Sequence, residues 1–427
     1  MLLIRNYMMI SNEKAGKVLT IKFALLQGSY WMSFCAIYNF ATVYLLSRSF
    51  TSKEVGVMLA AINIIAAVLQ PLVANFADQT QRISLKNLVT LFVLVILSIA
   101  FVLPAASNLL LATGILFFLI CTLMVTIQPL INSLGMEYMG KGIHVDFGIA
   151  RSMGSLSYAV TSFVLGNLIE KNGTGILPYS YIIIFALVLI FTYTYRLSKP
   201  LPNPMPNQSK NIASASIGME EVGLEMASDS EGSGFSAYFR KYRRFGFYLI
   251  GLVFLFTCFN LINIYMIKII ENVGGNKADL GTAIALAAIL ELPVMFFFSK
   301  LLKRFNNTTL LRISVVVLTL KAIATLFAKS IGMIYFAQAF QLLSYAIFIP
   351  ASIHYVSQVM DVKDRIKGQA FTSVTMTLGG VTGSLLGGWL LGATSIYNML
   401  LLGTLLSLVG SVIAYFSIEN IKMERHP

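Results

Sequence analysis

Residues 70–82 read QPLVANFADQTQR, and residues 292–304, in the other half of the chain, read LPVMFFFSKLLKR. Each stretch carries a long apolar run into a short group of polar and basic residues. When Pro71 is aligned with Pro293, Arg82 falls on Arg304. The same feature therefore occurs once in each half, which favours a duplicated helical protein.

Apolar runs long enough for a helix to cross a bilayer recur along the whole chain. We place twelve of them at residues 20–46, 54–77, 85–104, 107–137, 147–169, 176–196, 246–270, 279–299, 308–328, 331–358, 368–392 and 395–418. The chain is 57% hydrophobic and only 11% charged, whereas soluble domains carry about 25% charged residues. This composition predicts an all-α membrane protein of twelve transmembrane helices.

The longest polar segment separates the sixth span from the seventh. It is rich in Pro, Ser and Gly, with an acidic patch, and is typical of a flexible linker. The predicted organisation is two pseudo-symmetric six-helix bundles around this linker. The segments are a tail at 1–19, a bundle at 20–196, the linker at 197–245, a bundle at 246–418 and a tail at 419–427.

The basic residues indicate how the chain lies in the membrane. Outside the spans, most of the Lys and Arg residues fall on the side that carries both termini, which the positive-inside rule places in the cytoplasm. The net charge of +13 therefore reflects topology, and we expect no nucleic-acid partner. The basic stretch YFRKYRRFG at 238–246 is interpreted as a juxtamembrane anchor on the cytoplasmic side of a cell membrane.

Ionisable residues inside the spans are few, and each is a candidate for function. Glu291 lies near the middle of the eighth span, and Glu137 lies at the cytoplasmic end of the fourth. A carboxylate at the midplane is either protonated or paired, so Glu291 is a candidate proton carrier or, alternatively, part of a salt bridge that locks helices together. Lys321 in the ninth span is its candidate partner, unless its side chain extends to the membrane surface.

Hydrogen-bonding side chains mark a candidate central cavity. They are Tyr38 and Asn39 in the first span, Asn260 and Asn263 in the seventh, and Gln341 in the tenth. Bonding between helices is the alternative role for the asparagines. Amides, hydroxyls and aromatic rings together suit a small polar substrate that carries many hydroxyl groups, such as a sugar.

The sequence contains no pattern typical of an enzyme or of a metal or cofactor site. Its three cysteines, Cys35, Cys121 and Cys258, lie far apart in apolar segments, and its three histidines are scattered. No glycine-rich phosphate loop occurs, so ATP-driven transport has no support. Coupling to an ion gradient remains, and we expect a monomer in the lipid bilayer that needs no cofactor and no metal.

Two motifs resemble a known family. The stretch QPLVANFAD followed by Arg82 resembles the loop between the second and third helices of the major facilitator superfamily, with Asp78 as its carboxylate. The stretch DFGIARSMGS at 146–155 resembles the fifth helix of the lactose permease group, the oligosaccharide:proton symporters. The resemblance implies a gating role for Asp78 and Arg82.

The same resemblance implies site residues in the first half of the chain. Arg151 would bind sugar hydroxyls, and Tyr158 would replace the tryptophan that stacks on the sugar. The carboxylate that partners the arginine in the family falls at Ser133 here, and Glu137, one turn later, could substitute for it.

In the second half, the resemblance implies a changed proton route. The histidine and glutamate of the tenth helix are replaced by Gln341 and Ser344, and the arginine of the ninth helix by Lys321. Coupling would then depend on Glu291, Lys321 and Glu137.

The function predicted from the sequence is secondary active transport. The leading hypothesis is proton-coupled symport of a sugar or oligosaccharide by alternating access. The alternatives are a nucleoside:proton symporter, a drug or lipid:proton antiporter, and a sensor built on a transporter fold.

Overall fold

The computed structural model describes residues 2–79, 84–139, 143, 145–196 and 235–420. Within these ranges the secondary structure is helical, and each of the twelve predicted spans lies on one helix or on consecutive helical segments. The all-α membrane fold predicted from the sequence is therefore confirmed.

The six spans of the first half have clear bounds. In chain order they are Leu2–Phe34 with Cys35–Asn39 and Ala41–Ser47, Ser52–Gln79, Leu85–Val102, Leu110–Thr126 with Gln128–Met139, Phe147–Asn172, and Ile176–Thr194. The six spans of the second half follow a short helix at Phe235–Lys241. They are Arg243–Ile264 with Met266–Asn272, Lys277–Arg304, Asn307–Leu326, Ile331–Ala339 with Phe340–Leu342 and Tyr345–Val359, Arg365–Ala393, and Ile396–Ser417.

Most of these helices satisfy a test of length and apolar composition for crossing a membrane. Within the described ranges nine helices pass, and the bent eighth helix makes a tenth. The first and fifth spans are helical but fall outside this set. The fifth carries Arg151 within its helix and Glu170 and Lys171 near its end, which lowers its mean hydropathy.

Several spans are interrupted, and the interruptions lie where function needs irregular backbone. The first span passes through a π-helical turn at Cys35–Asn39, and the tenth passes through a 3₁₀ turn at Phe340–Leu342. These turns place Tyr38, Asn39 and Gln341 on locally rewound backbone. Interrupted helices of this kind are found where transporter helices line a cavity.

The two halves meet most closely near one face of the bundle. We call this the distal face; it carries the loops at 48–51, 173–175 and 273–276, opposite the chain termini. The fifth helix packs on the eighth there, and the second packs on the eleventh. The hydrogen bonds that join the halves in the described ranges are Thr42 Oγ1 to the Ile264 carbonyl (2.6 Å), Ser162 Oγ to the Gly281 carbonyl (2.8 Å), Tyr265 Oη to the Ser52 carbonyl (3.4 Å) and Lys277 N to Glu170 Oε2 (3.1 Å).

Glycines permit this close approach. A Cβ atom on Gly281 would lie 2.4 Å from the Ser162 carbonyl oxygen and 2.9 Å from the Gly166 Cα atom. Any side chain at Gly281 would therefore force the fifth and eighth helices apart. The structure is closed at its distal face.

The segment at the end of the predicted linker is helical rather than extended. Residues 197–234 lie outside the described ranges, but Phe235–Lys241 forms a helix and the seventh span begins at Arg243. Similarly, the helix of the first span begins at Leu2, within the predicted tail.

Part of the basic stretch at 238–246 has a contact within the protein. Lys241 Nζ lies 2.7 Å from Asp361 Oδ2 and 2.8 Å from Asp364 Oδ2, and Tyr242 Oη donates to Asp364 Oδ2 at 2.8 Å. The bond from Lys241, with a smaller contribution from Tyr242, lowers the pKa of Asp364 below its ordinary value. This contact ties the start of the second half to the loop between the tenth and eleventh helices.

Candidate functional site

A central cavity of about 370 Å³ lies between the two halves. Its lining residues lie at the middle of several spans and toward the face opposite the distal face. Both halves contribute polar and aromatic side chains to it. A polar cavity between apolar helices indicates a binding site for a polar ligand.

One wall of the cavity is built around Arg151 of the fifth helix. Its guanidinium carbon lies 4.1 Å from the centre of the Trp31 ring, and its Nη1 atom lies 3.5 Å from Ser155 Oγ. A cation over an indole ring is stabilised by the ring's quadrupole. The guanidinium is therefore held by one of its faces, while most of its N–H donors are free of protein partners in the described ranges.

A chain of amides holds the Trp31 ring in place. Trp31 Nε1 donates to Gln27 Oε1 at 3.1 Å, and Gln27 Nε2 donates to Asn132 Oδ1 at 2.8 Å. A Cβ atom on Gly154 would lie 2.6 Å from the Trp31 ring. The glycine in the motif around Arg151 thus makes room for the indole under the guanidinium.

The opposite wall carries a relay of three side chains from three helices. Lys321 Nζ donates to Gln341 Oε1 at 2.6 Å, and Gln341 Nε2 donates to Glu291 Oε1 at 2.7 Å. The amide is oriented so that its acceptor faces the ammonium and its donor faces the carboxylate. Charged partners make both bonds stronger than ordinary hydrogen bonds.

The relay corrects the sequence-based alternatives for Lys321. Its side chain is only 3% exposed, so it does not extend to the membrane surface. It is joined to Glu291 through Gln341 rather than directly. Lys268, by contrast, is partly exposed and pairs with Glu271 at 3.0 Å.

Two stacked aromatic pairs face the cavity, one from each half. The Phe34 and Tyr38 rings lie 5.1 Å apart, and the Phe259 and Tyr345 rings lie 5.0 Å apart with an interplanar angle of 6°. Tyr38 also exchanges hydrogen bonds with Asn63. These rings can stack on the C–H face of a sugar or on a planar base.

The cavity brings together most of the site residues predicted from the sequence. Those that line it are Tyr38, Asn39, Arg151, Tyr158, Asn260, Asn263, Glu291, Lys321 and Gln341. The Asn39 amide donates a hydrogen bond to the Tyr158 hydroxyl, and the Asn260 amide donates to the Phe256 carbonyl.

Three predicted residues are not brought to the cavity. Glu137 lies elsewhere, where its charge acts on Lys86 and Tyr195, so the structure does not pair it with Arg151. The helix of the second span reaches Asp78, but the Asp78 side chain and the whole of Arg82 lie outside what the structure describes.

The cavity also contains residues that the sequence reasoning did not select. Polar ones are Asn63, Gln70, Gln128, Ser373 and Thr377, and aromatic ones include Trp31, Phe259 and Tyr345. The amides among them carried a usable signal, since a polar side chain inside an apolar span is itself uncommon. The aromatic residues carried none, because the spans are rich in aromatic rings throughout.

The described part of the chain holds no group of three or more His, Cys, Asp or Glu side chains that could bind a metal ion. The three cysteines are buried and unbridged. What the cavity offers is hydrogen bonding, ring stacking and a small number of charges.

Comparison with known proteins agrees with this architecture. The sequence model of the MFS_1 like family matches residues 23–400. The maltose permease of Geobacillus stearothermophilus is 22% identical over 387 residues, which cover 90% of each chain.

Two solved structures show the same fold at low sequence identity. A crystal structure of the nucleoside transporter NupG has a TM-score of 0.72 and 15% identity, covering 95% of this chain and 100% of that one. A crystal structure of the E. coli fucose:proton symporter FucP has a TM-score of 0.53 and 16% identity, covering 94% and 100%.

Proposed function

The chain belongs to the MFS_1 like family of the major facilitator superfamily and is a secondary transporter, and from that premise we propose that it carries a sugar or oligosaccharide into the cell together with protons. The relative named maltose permease and the structural neighbour named a fucose:proton symporter support this choice of substrate and coupling ion.

The observation that carries the proposal is the pairing of two unlike walls in one cavity. Arg151 on one wall offers hydrogen-bond donors, and Glu291 on the other offers acceptors. Sugar hydroxyls both donate and accept, so a sugar between the walls satisfies both groups. The rings of Tyr38 and Tyr345 give the C–H faces of the sugar an apolar surface.

Glu291 is the proposed proton carrier. It is the one carboxylate among the described residues that line the cavity, and Gln341 holds one of its oxygens. Loading the proton with the substrate and releasing both on the other side requires alternating access. The closed distal face, with the cavity extending toward the opposite face, supports one end state of that cycle.

Replacement of Glu291 tests the coupling. Glu291→Gln mimics the protonated form, so it should retain exchange of internal for external substrate in proteoliposomes and lose accumulation driven by a pH gradient. The matched control is Glu271→Gln, whose carboxylate is exposed and pairs with Lys268 outside the cavity; it should accumulate substrate as the wild type does. Proton-driven accumulation by Glu291→Gln would remove Glu291 from the proton route.

A nucleoside:proton symporter is the second candidate. The stacked pairs Phe34–Tyr38 and Phe259–Tyr345 suit a planar base as well as a sugar, and NupG is named a nucleoside transporter. A thermal-shift panel of mono-, di- and trisaccharides, nucleosides and hydrophobic drugs distinguishes the candidates. Stabilisation by nucleosides alone would replace the sugar proposal, and stabilisation by drugs alone would favour the antiporter, which the polar lining opposes.

We also propose that the protein acts as a monomer in the cell membrane, with both termini in the cytoplasm. The surplus of Lys and Arg on the side of the termini supports this orientation. Cysteines placed at Lys171 and Lys277, near the distal face, should react with an impermeant reagent added outside intact cells. Reaction only from the cytoplasm would invert the topology.

A further inference from the structure

The charges that line the cavity do not balance. Among the described lining residues the ionisable groups are Arg151, Lys321, Glu291, Tyr38, Tyr158 and Tyr345. The tyrosines are neutral at physiological pH, so two cations face one carboxylate.

Neither cation is in direct contact with the carboxylate. Arg151 contacts Trp31 and Ser155, and Lys321 contacts Gln341. Both nevertheless act electrostatically on Glu291. A single carboxylate therefore balances two cations, and the cavity is positive by one charge when Glu291 is ionised.

This imbalance matters for the proton coupling proposed above, on which the present inference rests. When Glu291 takes up a proton, its negative charge disappears and two cations remain in a cavity between apolar helices. Uncompensated charge in such surroundings is unfavourable. Something other than Glu291 must supply a negative charge at that stage.

We propose that the substrate supplies this charge: the transported sugar carries a carboxylate, as a uronate or aldonate does, and Arg151 binds it. The guanidinium has five N–H donors in a planar fork that matches a carboxylate. In the described ranges it makes one long hydrogen bond, to Ser155, and Trp31 covers one of its faces. The remaining N–H edge is available for a bidentate bond.

The proposal accounts for coupling between substrate and proton. The substrate carboxylate compensates Arg151, and its negative charge repels the charge on Glu291, which favours uptake of a proton there. The net charge of the cavity is then the same before and after loading, because a monoanion and a proton enter together. Transport of the acidic sugar is expected to be electroneutral.

The test compares acids with uncharged analogues of the same shape. Purified full-length protein is titrated with D-glucuronate and D-glucuronamide, D-galacturonate and D-galacturonamide, and maltobionate and maltose. At least one acid should bind about tenfold or more tightly than its neutral partner, as expected for a charge-assisted bond. An acid-to-neutral affinity ratio near one in every pair would overturn the proposal, and the sugar assignment would stand if the neutral sugars bind.

Variants identify the group that recognises the acid. Arg151→Gln should bring the affinity ratio close to one, and Lys321→Met, which removes one of the two cations, should reduce it. The ratio is a suitable readout because partial loss of folded protein affects both ligands equally. Lys268→Gln removes a lysine that pairs with Glu271 outside the cavity and should leave the ratio unchanged; an equal fall there would refute recognition by the cavity cations.

Two further measurements separate this proposal from its neighbours. In chloride-free buffer the preference for the acid should persist; if neutral sugars bind only when chloride is present, an inorganic anion supplies the charge and the proposal fails. Uptake of the acid into proteoliposomes should not respond to an imposed membrane potential, whereas potential-driven uptake would contradict entry as a neutral pair. Binding of nucleosides and of no sugar would overturn both this proposal and the proposed function.

Discussion

Replacement of Gln341 by leucine removes the amide that joins Lys321 to Glu291. Leucine has a similar volume, so the main change is the loss of two hydrogen bonds, of 2.6 Å and 2.7 Å, to charged partners. Hydrogen bonds to charged groups contribute about 1.5–3 kcal/mol each, so the free energy of unfolding should fall by about 3–6 kcal/mol. Direct pairing of Lys321 with Glu291 would recover part of this loss.

The matched control is Gln338→Leu in the same helix. Gln338 is as well buried as Gln341, at 2% against 4% exposure, but the hydrogen bond recorded for its amide is to the Met266 sulfur at 3.9 Å. Its loss should cost about 1 kcal/mol or less. Unfolding of both variants in detergent, followed by tryptophan fluorescence, gives the comparison. Equal losses for the two glutamines would refute the relay as a stabilising network.

Other predictions concern the substrate, the distal face and the loop contact. Arg151→Lys should weaken substrate binding about tenfold or more, because a compact ammonium cannot replace the planar fork; calorimetry that finds unchanged affinity would remove the residue from the site. Gly281→Ala places a Cβ atom 2.4 Å from the Ser162 carbonyl oxygen, which should cost about 1–3 kcal/mol and open the distal face, seen as faster alkylation of a cavity cysteine from that side; Gly175→Ala, with no atom within 4 Å of its Cβ position, is the control, and equal rates would contradict the close packing. Asp364 has a lowered pKa, so its ion pair stabilises the fold above its ordinary pKa of about 3.9 and the contribution is lost as the pH falls through the lowered value. Asp364→Asn should therefore unfold at a lower temperature than the wild type at pH 7 and at nearly the same temperature at pH 3, and parallel melting curves at the two pH values would argue against it.

Much of the fold follows from the sequence because membrane insertion depends on each helix alone. A segment of about twenty apolar residues satisfies its backbone hydrogen bonds internally and can cross the bilayer whatever its neighbours are. Span number, the two six-helix halves and the scarcity of polar residues could therefore be read from composition. For the same reason Glu291 and Lys321 stood out, since charged side chains inside spans are uncommon.

The sequence did not specify which of these residues meet. Whether Lys321 reached the membrane surface or a partner depended on the rotation of its helix, and the partner proved to be Gln341 on another helix. Glu137 stood one turn from the position expected for a partner of Arg151, yet the fourth helix carries it away from the cavity. Trp31, which covers the Arg151 guanidinium, had no distinguishing sequence signal among many aromatic residues.

The sequence by itself determined that this is a duplicated membrane protein of twelve helices with a few polar groups inside it, because the transfer of each segment into the bilayer is a local property of that segment. Only the tertiary structure decided that Arg151 rests on Trp31, that Gln341 joins Lys321 to Glu291, and that Gly166 and Gly281 bring the halves together at the distal face. Those contacts depend on how each helix is rotated and shifted against its neighbours, which is set by small residues, helix breaks and the packing of all the spans at once.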